Sequence, residues 1–517
     1  MPALAENLAK LAPSMPRALL AAAPLTGYRP MLPFQKAGSD MMDFSELFIG
    51  GRRVAPTAPR IIEVRSPYDR SVVGTVALAG PEDIHRAVAE ARRAFDYGPW
   101  PRLPVEERIK VIERFYSLYE MKSDYFARFT SLEMGAPHWF TQAIRTLITN
   151  QSQAFLKAAR SYPWEVRGSG FPTGKSLWLR EPVGVVAAII PWNAPHQVAL
   201  GKLYPALIAG CTVVLKLAEE TALDGQFLGE LFTEAGLPEG VLSILAADKE
   251  TSEHLVTHPG IDKIGFTGST AVGRRIAGLG GALLKRVSLE LGGKSAAIVL
   301  EDADLEETVA ALKFRSFPNN GQVCVAQTRV LVPRHRQPDF ADAMVAMIKE
   351  LNIGDPNAET TFLGPVVSER QQLRITDYIR QAEAEGVRVA IGGSGMPDGV
   401  NHGNFIRPTL FTDVDNNARI AQEEIFGPVV CMIPYDSEEE AVALANASDY
   451  GLAGSVWTRD AEKAEAIARR VRTGTVTHGN AAIDLLAPFG GFKQSGIGRE
   501  FGAEGINHYI EHKTIAL

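Results

Sequence analysis

The sequence predicts an α/β protein built from two doubly wound parallel-sheet domains and a small β arm. Three observations point to this class. Residues 183–190 (VGVVAAII) form a short, wholly apolar run rich in branched side chains, which suits a strand buried on both faces of a parallel sheet. Further runs of this kind alternate with helical patterns, the traffic of βαβ units. The same alternation starts again after Glu290, so one sheet lies on each side of that residue.

In chain order, residues 48–52 read as a strand and a tight turn over Gly50 and Gly51. Pro81 opens a helix that places Ile84, Val88, Ala91 and Phe95 on one face. A second helix is expected from about Val105 to Glu120, and residues 164–167 with 176–180 read as a hairpin. After the strand at 183–190, a helix ends at Ala206–Cys211 and a strand follows at Thr212–Lys216. A helix from Asp224 to Gly236 then leads to a strand at Gly240–Leu245. Beyond Glu290 the order is strand 296–300, helix 305–314, strand 328–333 and helix 340–351. Ser437 and Glu440 form a capping box for a helix reaching Ala447.

At 517 residues the chain is too long for one ordinary domain; length alone allows about three or four. A hydrophobic content of 46% provides for a substantial core. The net charge of -7, with no clustered bases, argues against nucleic acid as a partner. Three cysteines are too few for a disulfide framework, so a reducing, cytoplasmic setting is expected. The longest apolar run, Val183 to Pro191, is far short of the roughly 20 residues of a membrane-spanning helix, so no membrane role is expected. Residues 1–43 are rich in Ala, Leu and Pro, carry scattered bases and lack a secretory core and cleavage site. They read as a flexible extension, with Met41 or Met42 as an alternative start.

Three polar residues end strand-like segments. Cys324 follows the turn formers Asn320 and Gly321, which place its thiol at an element boundary. Cys211 and Cys431 sit within apolar segments and read as inert core thiols. A thiol with an ordinary pKa of ~8.5 is only slightly ionised at neutral pH, so Cys324 as a nucleophile needs peptide N–H groups or a cation aimed at its sulfur. Glu290 precedes Gly292 and Gly293, which admit a close backbone approach. Asn193, after Pro191 and Trp192, is explained by turn chemistry, yet its amide is also a suitable oxyanion donor. Residues 266–273 (FTGSTAVG) read as strand end, Gly-rich turn and helix start, a geometry that holds pyrophosphate. Lys216 and Glu219 follow the preceding strand, where an acid can bind ribose hydroxyls.

Taken in order and spacing, Asn193, Lys216, Glu219, Gly268, Glu290, Cys324, residues 423–428 (EEIFGP) and residues 488–493 (PFGGFK) resemble the aldehyde dehydrogenase superfamily of the hydrolytic type. The resemblance runs from about residue 44 to 517. It implies a Rossmann-like NAD-binding domain at 44–160 and 182–289, a catalytic domain at 290–504, and an oligomerisation arm at 161–181 and 505–517. It implies Cys324 as nucleophile, Glu290 as general base, Asn193 as oxyanion donor beside the Cys324 N–H, and Lys202 and Glu500 as a proton relay. Ile190, Trp192, Lys216, Glu219, Gly268, Ser269, Val272, Gly292, Glu424 and Phe426 would hold the dinucleotide. No metal is implied, and a homodimer or homotetramer is.

Glu219 favours NAD over NADP, since a carboxylate there repels a 2′-phosphate, although Leu217 stands where relatives usually carry proline. The substrate pocket is expected at Ala194, Val198, Gly201, Val323, Val325 and His478. At the positions of Ala194 and Gly201 some relatives carry bulky aromatics, so the resemblance implies a roomy, apolar pocket for aromatic, terpenoid or medium-chain aldehydes. His478 lies in a segment, residues 477–480 (THGN), that departs from the family pattern. Two other readings stand beside this one. In a CoA-acylating semialdehyde dehydrogenase the base at Glu290 would be superfluous; in a non-catalytic binding protein Cys324, Glu290 and Asn193 would have no reason to occur together.

Overall fold

Each wholly apolar run becomes a central strand flanked by helices. The computed structural model describes residues 42–172 and 174–517; residues 1–41, most of the expected extension, lie outside the described residues. Met42 and Asp43, grouped with that extension in the sequence reading, instead form the strand Met42–Phe44, which runs parallel to Val72–Ala77.

The first large sheet is ordered Gly496–Ile497, Arg286–Glu290, Lys263–Thr267, Val185–Ile189, Thr212–Leu217, Leu242–Ala246, Leu47–Ile49, Arg52–Val54. Its five central strands are parallel, and all five residues of Val185–Ile189 are buried. In chain order, Val185–Ile189 comes first, yet it lies between the second and the fourth of these strands. The strand order therefore reverses between Val185–Ile189 and Lys263–Thr267. A crevice opens at the carboxyl ends of such a pair, where open α/β sheets bind ligands.

The second sheet is ordered Arg388–Ile391, Thr409–Thr412, Val429–Tyr435, Gln327–Pro333, Ser295–Val299, Ala453–Trp457, Thr475–His478, and only Arg388–Ile391 is antiparallel. The short strand Gly496–Ile497 pairs with Leu289 and Glu290 of the first sheet. That pairing brings the segment carrying Glu500 against the end of the strand carrying Glu290. The hairpin Glu165–Ser169 with Lys175–Pro182 forms as expected and takes Ile510–Ala516 as a third strand.

The second helix is longer than expected, running from Val105 to Met134. Residues 121–124 (MKSD) look polar enough to end it, but no Gly or Pro interrupts the pattern before Gly135, which stops the helix in the left-handed conformation at φ 80°. The long helix carries Met134 to the floor of the loop that presents Cys324, where Asn319 contacts it.

Candidate active site

The loop before Cys324 is held by buried amide side chains. Asn319 and Asn320 adopt left-handed backbone (φ 49° and 61°), and Gly321 follows at φ 77°. A Cβ on Gly321 would lie 2.1 Å from the Gly427 carbonyl oxygen, so the turn admits only glycine there. Asn320 Nδ2 donates to the carbonyls of Gly135 and Pro365, and its Oδ1 accepts from the Gly364 N–H. Gln322 Oε1 accepts from the Val367 N–H and its Nε2 donates to Asn319. These two amides satisfy backbone groups that would otherwise be buried without partners, which fixes the loop. The sequence marked Asn320 only as a turn former; that consecutive amides supply both donors and acceptors was the signal for the rest.

Asn193 Nδ2 donates to the Gln322 carbonyl at 2.9 Å, and the Asn193 carbonyl accepts from Asn319 Nδ2 at 3.0 Å. The primary amide has a second N–H, and Gln322 uses only one. The Cys324 backbone N–H has no acceptor among the described residues. These two donors, on facing segments, make an arrangement able to receive a developing oxyanion.

Cys324 is free, half-buried and faces Glu290. Burial pushes its thiol well above the ordinary range, and the carboxyls of Glu290 and Glu424 push it further. The N–H of Val325 draws it down, the contribution expected of peptide groups around this sulfur, but does not prevail. Burial and the two carboxyls thus oppose ionisation of this sulfur.

Glu290 ends the strand Arg286–Glu290 with its side chain buried, and its Oε1 has no hydrogen-bond partner among the described residues. Burial raises its pKa to about 8, reinforced by the negative charge of Glu500 and opposed by Lys202 and by the contact with Cys324. Lys202 is 1% exposed, and its Nζ donates to Glu500 Oε1. A buried ammonium is tolerated only when paired, so Glu500 secures Lys202 and Lys202 in turn holds Glu500, both close enough for their charges to act on Glu290.

Of the residues expected to hold a dinucleotide, Trp192, Gly268, Ser269, Gly292, Glu424 and Phe426 line the crevice at the strand reversal. Ser269 caps the helix Thr270–Ala282, and Gly268 and Ser269 line the opening, so the first-turn N–H groups and the helix dipole face the crevice. Val272 is exposed in that first turn. Opposite, Glu424 Oε1 accepts from the Gly293 N–H at 3.0 Å. A Cβ on Gly292 would lie 2.3 Å from the Glu424 carboxylate, so glycine permits this approach. The rings of Trp192 and Phe426 meet edge to face at 5.4 Å. Arg374 and Gln371 hold the carbonyls of Glu424, Ile425 and Phe426, which fixes the segment. Ile190 donates its N–H to the Lys216 carbonyl, which ties the two strand ends together. Burial lowers the pKa of Lys216 and raises that of Glu219, each opposed by the other's charge. Anion-binding N–H groups, carboxylates for hydroxyls and an aromatic wall fit an NAD-type cofactor. Among the described residues, no group of three or more His, Cys, Asp or Glu is placed to hold a metal.

A single cavity of about 660 Å³ joins this crevice to Cys324, Glu290, Asn193 and Glu500. On the far side of the sulfur it is lined by Ala194, Val198, Val323 and Val325, as the sequence anticipated. Two other anticipated pocket residues are not on its wall. Gly201 is fully buried one helical turn beneath, against Gln151, Phe501 and Glu500. His478 is exposed and turned away, its Nε2 against the Thr458 carbonyl, because it ends an edge strand and the neighbouring Thr477 faces the cavity instead. Most of the apolar wall comes from residues the sequence did not mark: Trp139, Phe140, Ile144 and Leu147 on one helix, Phe314 on another, and Ile483 and Leu485 on a loop.

Comparison with known proteins agrees with this geometry. A model of the aldehyde dehydrogenase family matches residues 54–515. Geranial dehydrogenase of Castellaniella defragrans is 42% identical, covering 92% of this chain and 99% of its own. An aldehyde dehydrogenase of Mycobacterium tuberculosis, solved with NAD+, is 45% identical and superimposes with a TM-score of 0.90, covering 92% of this chain and 99% of that one. A cysteine-to-alanine variant of aldehyde dehydrogenase C of Pseudomonas syringae, solved with NAD+ and octanal, is 38% identical with a TM-score of 0.88, covering 91% of this chain and 96% of that one.

Proposed function

The chain belongs to the aldehyde dehydrogenase family, and on that premise we propose that it oxidises bulky apolar aldehydes to carboxylic acids with NAD, through covalent intermediates on Cys324. The observation that carries the proposal is the single cavity, whose apolar end and dinucleotide crevice meet at the sulfur.

The sulfur of Cys324 attacks the aldehyde carbon, forming the C–S bond of a thiohemiacetal as the thiol proton passes to water. The displaced carbonyl electron pair becomes an oxyanion, held by the second Asn193 N–H and the Cys324 N–H. NAD, if held in this crevice, would supply the hydride acceptor. Collapse of the oxyanion with loss of hydride leaves a thioester on Cys324. Glu290 then removes a proton from water, which attacks the thioester. The C–S bond breaks, the acid departs and the thiol returns. Lys202 and Glu500, paired behind Glu290, pass its proton outward.

The helix start at Gly268–Ser269 would hold the pyrophosphate, Lys216 and Glu219 the adenosine ribose, Glu424 the nicotinamide ribose, with Phe426 and Trp192 beside the ring. Like charges about 4 Å apart repel by roughly 1–4 kcal/mol at intermediate to high dielectric. Glu219 is therefore expected to give NAD at least about a fivefold advantage in kcat/KM over NADP. Equal values for the two cofactors would refute this role.

The apolar wall sets substrate size. Each methylene buried contributes about 0.8 kcal/mol, so partial burial of the roughly six extra methylenes of octanal predicts a kcat/KM at least about 100-fold above that of acetaldehyde. An NADH-linked screen of aliphatic, aromatic and terpenoid aldehydes checks this, and a preference for acetaldehyde would refute it. The relatives named for geranial and solved with octanal support the size class. The three-stranded sheet formed by the hairpin and Ile510–Ala516 has two open edges, which suits pairing with another copy in a homodimer or homotetramer. Three free cysteines, two of them buried, suit a reducing, cytoplasmic location.

A further inference from the structure

The apolar end of the cavity contains a charge that has no counter-ion among the described residues. Arg315 lies in the last turn of the helix Leu305–Ser316 and forms part of the wall beside Phe314, Ile483 and Leu485. Its Nε and Nη2 converge on Asn480 Oδ1 at 3.3 and 3.2 Å, and Nη2 also donates to the Ala481 carbonyl at 2.8 Å. Both acceptors are neutral. Among the described residues no carboxylate pairs with Arg315, and Nη1 has no acceptor. Partial burial lowers its pKa from the ordinary arginine value, with no charged neighbour contributing.

Other charges nearby are committed elsewhere. Lys313, on the same helix, points its ammonium over the Phe362 ring at 4.5 Å. Arg374, at the opposite end, is bound to the carbonyls of Glu424 and Ile425. The carboxylates on the cavity wall, Glu290, Glu424 and Glu500, belong to the catalytic and dinucleotide side. A helix C-terminus favours a cation, which accounts for a base in this turn but not for a guanidinium set into an apolar wall. A partly desolvated cation with only neutral acceptors gains when an anion arrives.

We propose that Arg315 receives a carboxylate at the far end of the substrate, so that the preferred aldehydes have an apolar body and an anionic tail. The proposal rests on the reading of Cys324 as the residue that takes the aldehyde. It also predicts discrimination against aldehydes carrying a cationic tail. The competing account is that Arg315 only anchors the Asn480–Ala481 segment over the mouth of the cavity.

The test compares kcat/KM for three aldehydes of one chain length: the semialdehyde of suberic acid, its methyl ester, and octanal. A charge-assisted pair of this kind predicts a carboxylate-over-ester ratio above about ten in the wild type, expressed mainly in KM. Arg315→Gln should bring that ratio close to one, and Arg315→Lys should restore part of it. Wild-type ratios near one, or an unchanged ratio in Arg315→Gln, overturn the proposal, since an anchoring role lowers all three substrates together. Absence of NADH from all three aldehydes instead overturns the underlying reading of Cys324.

Discussion

Replacing Cys324 with alanine is expected to lower aldehyde oxidation by at least about 10⁴-fold, the scale seen when a covalent nucleophile is lost. No other thiol can substitute. Cys211 is fully buried, its Sγ against the Tyr509 carbonyl, and Cys431 lies in the core of the second sheet. Burial raises the pKa of both, that of Cys211 to about 11. The crevice for the cofactor is formed by other residues, so NAD affinity, followed by fluorescence quenching, should remain within about threefold, a shift below 1 kcal/mol. Turnover within about tenfold of wild type would remove Cys324 from the mechanism.

Glu290→Gln should separate the two halves of the reaction. With water activation lost, the expected record is a burst of NADH approaching one per active site, then steady turnover at least about 100-fold slower than wild type. The wild-type steady rate should also depend on pH in a defined direction. Glu290 titrates near 8, so below that value the carboxyl is mostly protonated and unable to act as a base. Where hydrolysis limits turnover, the rate should climb from about pH 6 and level off above about 8, close to tenfold per unit on the steep part. The amide has no such titration, so the residual rate of Glu290→Gln should lose this rise. A variant with no burst would mean that Glu290 is needed earlier, to ionise a thiol that burial holds protonated.

The residues most legible in the sequence are those at strand ends. Asn193, Glu290 and Gly268 each close an apolar run, and parallel strands deliver their carboxyl ends to one side of the sheet, so the run itself announces the position. Cys324 was legible through Asn320 and Gly321, whose left-handed backbone the structure contains. The apolar wall was not legible in this way. Trp139, Ile144 and Leu147 follow helical periodicity whether they face a core or a cavity, and periodicity does not distinguish the two. Gly201 read as a pocket residue because some aldehyde dehydrogenases carry a bulky aromatic at its position, but the helix Pro195–Ala209 turns it inward against Gln151. His478 illustrates the period of two in a strand: it and Thr477 differ by one position, and so point to opposite sides. Arg315 carried no sequence signal, because its significance lies in the neutral partners that a distant segment provides.

The central claim, that the aldehyde carbon becomes bonded to Cys324 before water releases it, is tested most directly by mass spectrometry of Glu290→Gln quenched after mixing with octanal and NAD. One octanoyl group per chain, confined to the peptide containing Cys324 and formed in step with NADH, is the predicted result. NADH formed without any adduct, or an adduct on Cys211 or Cys431, would contradict it.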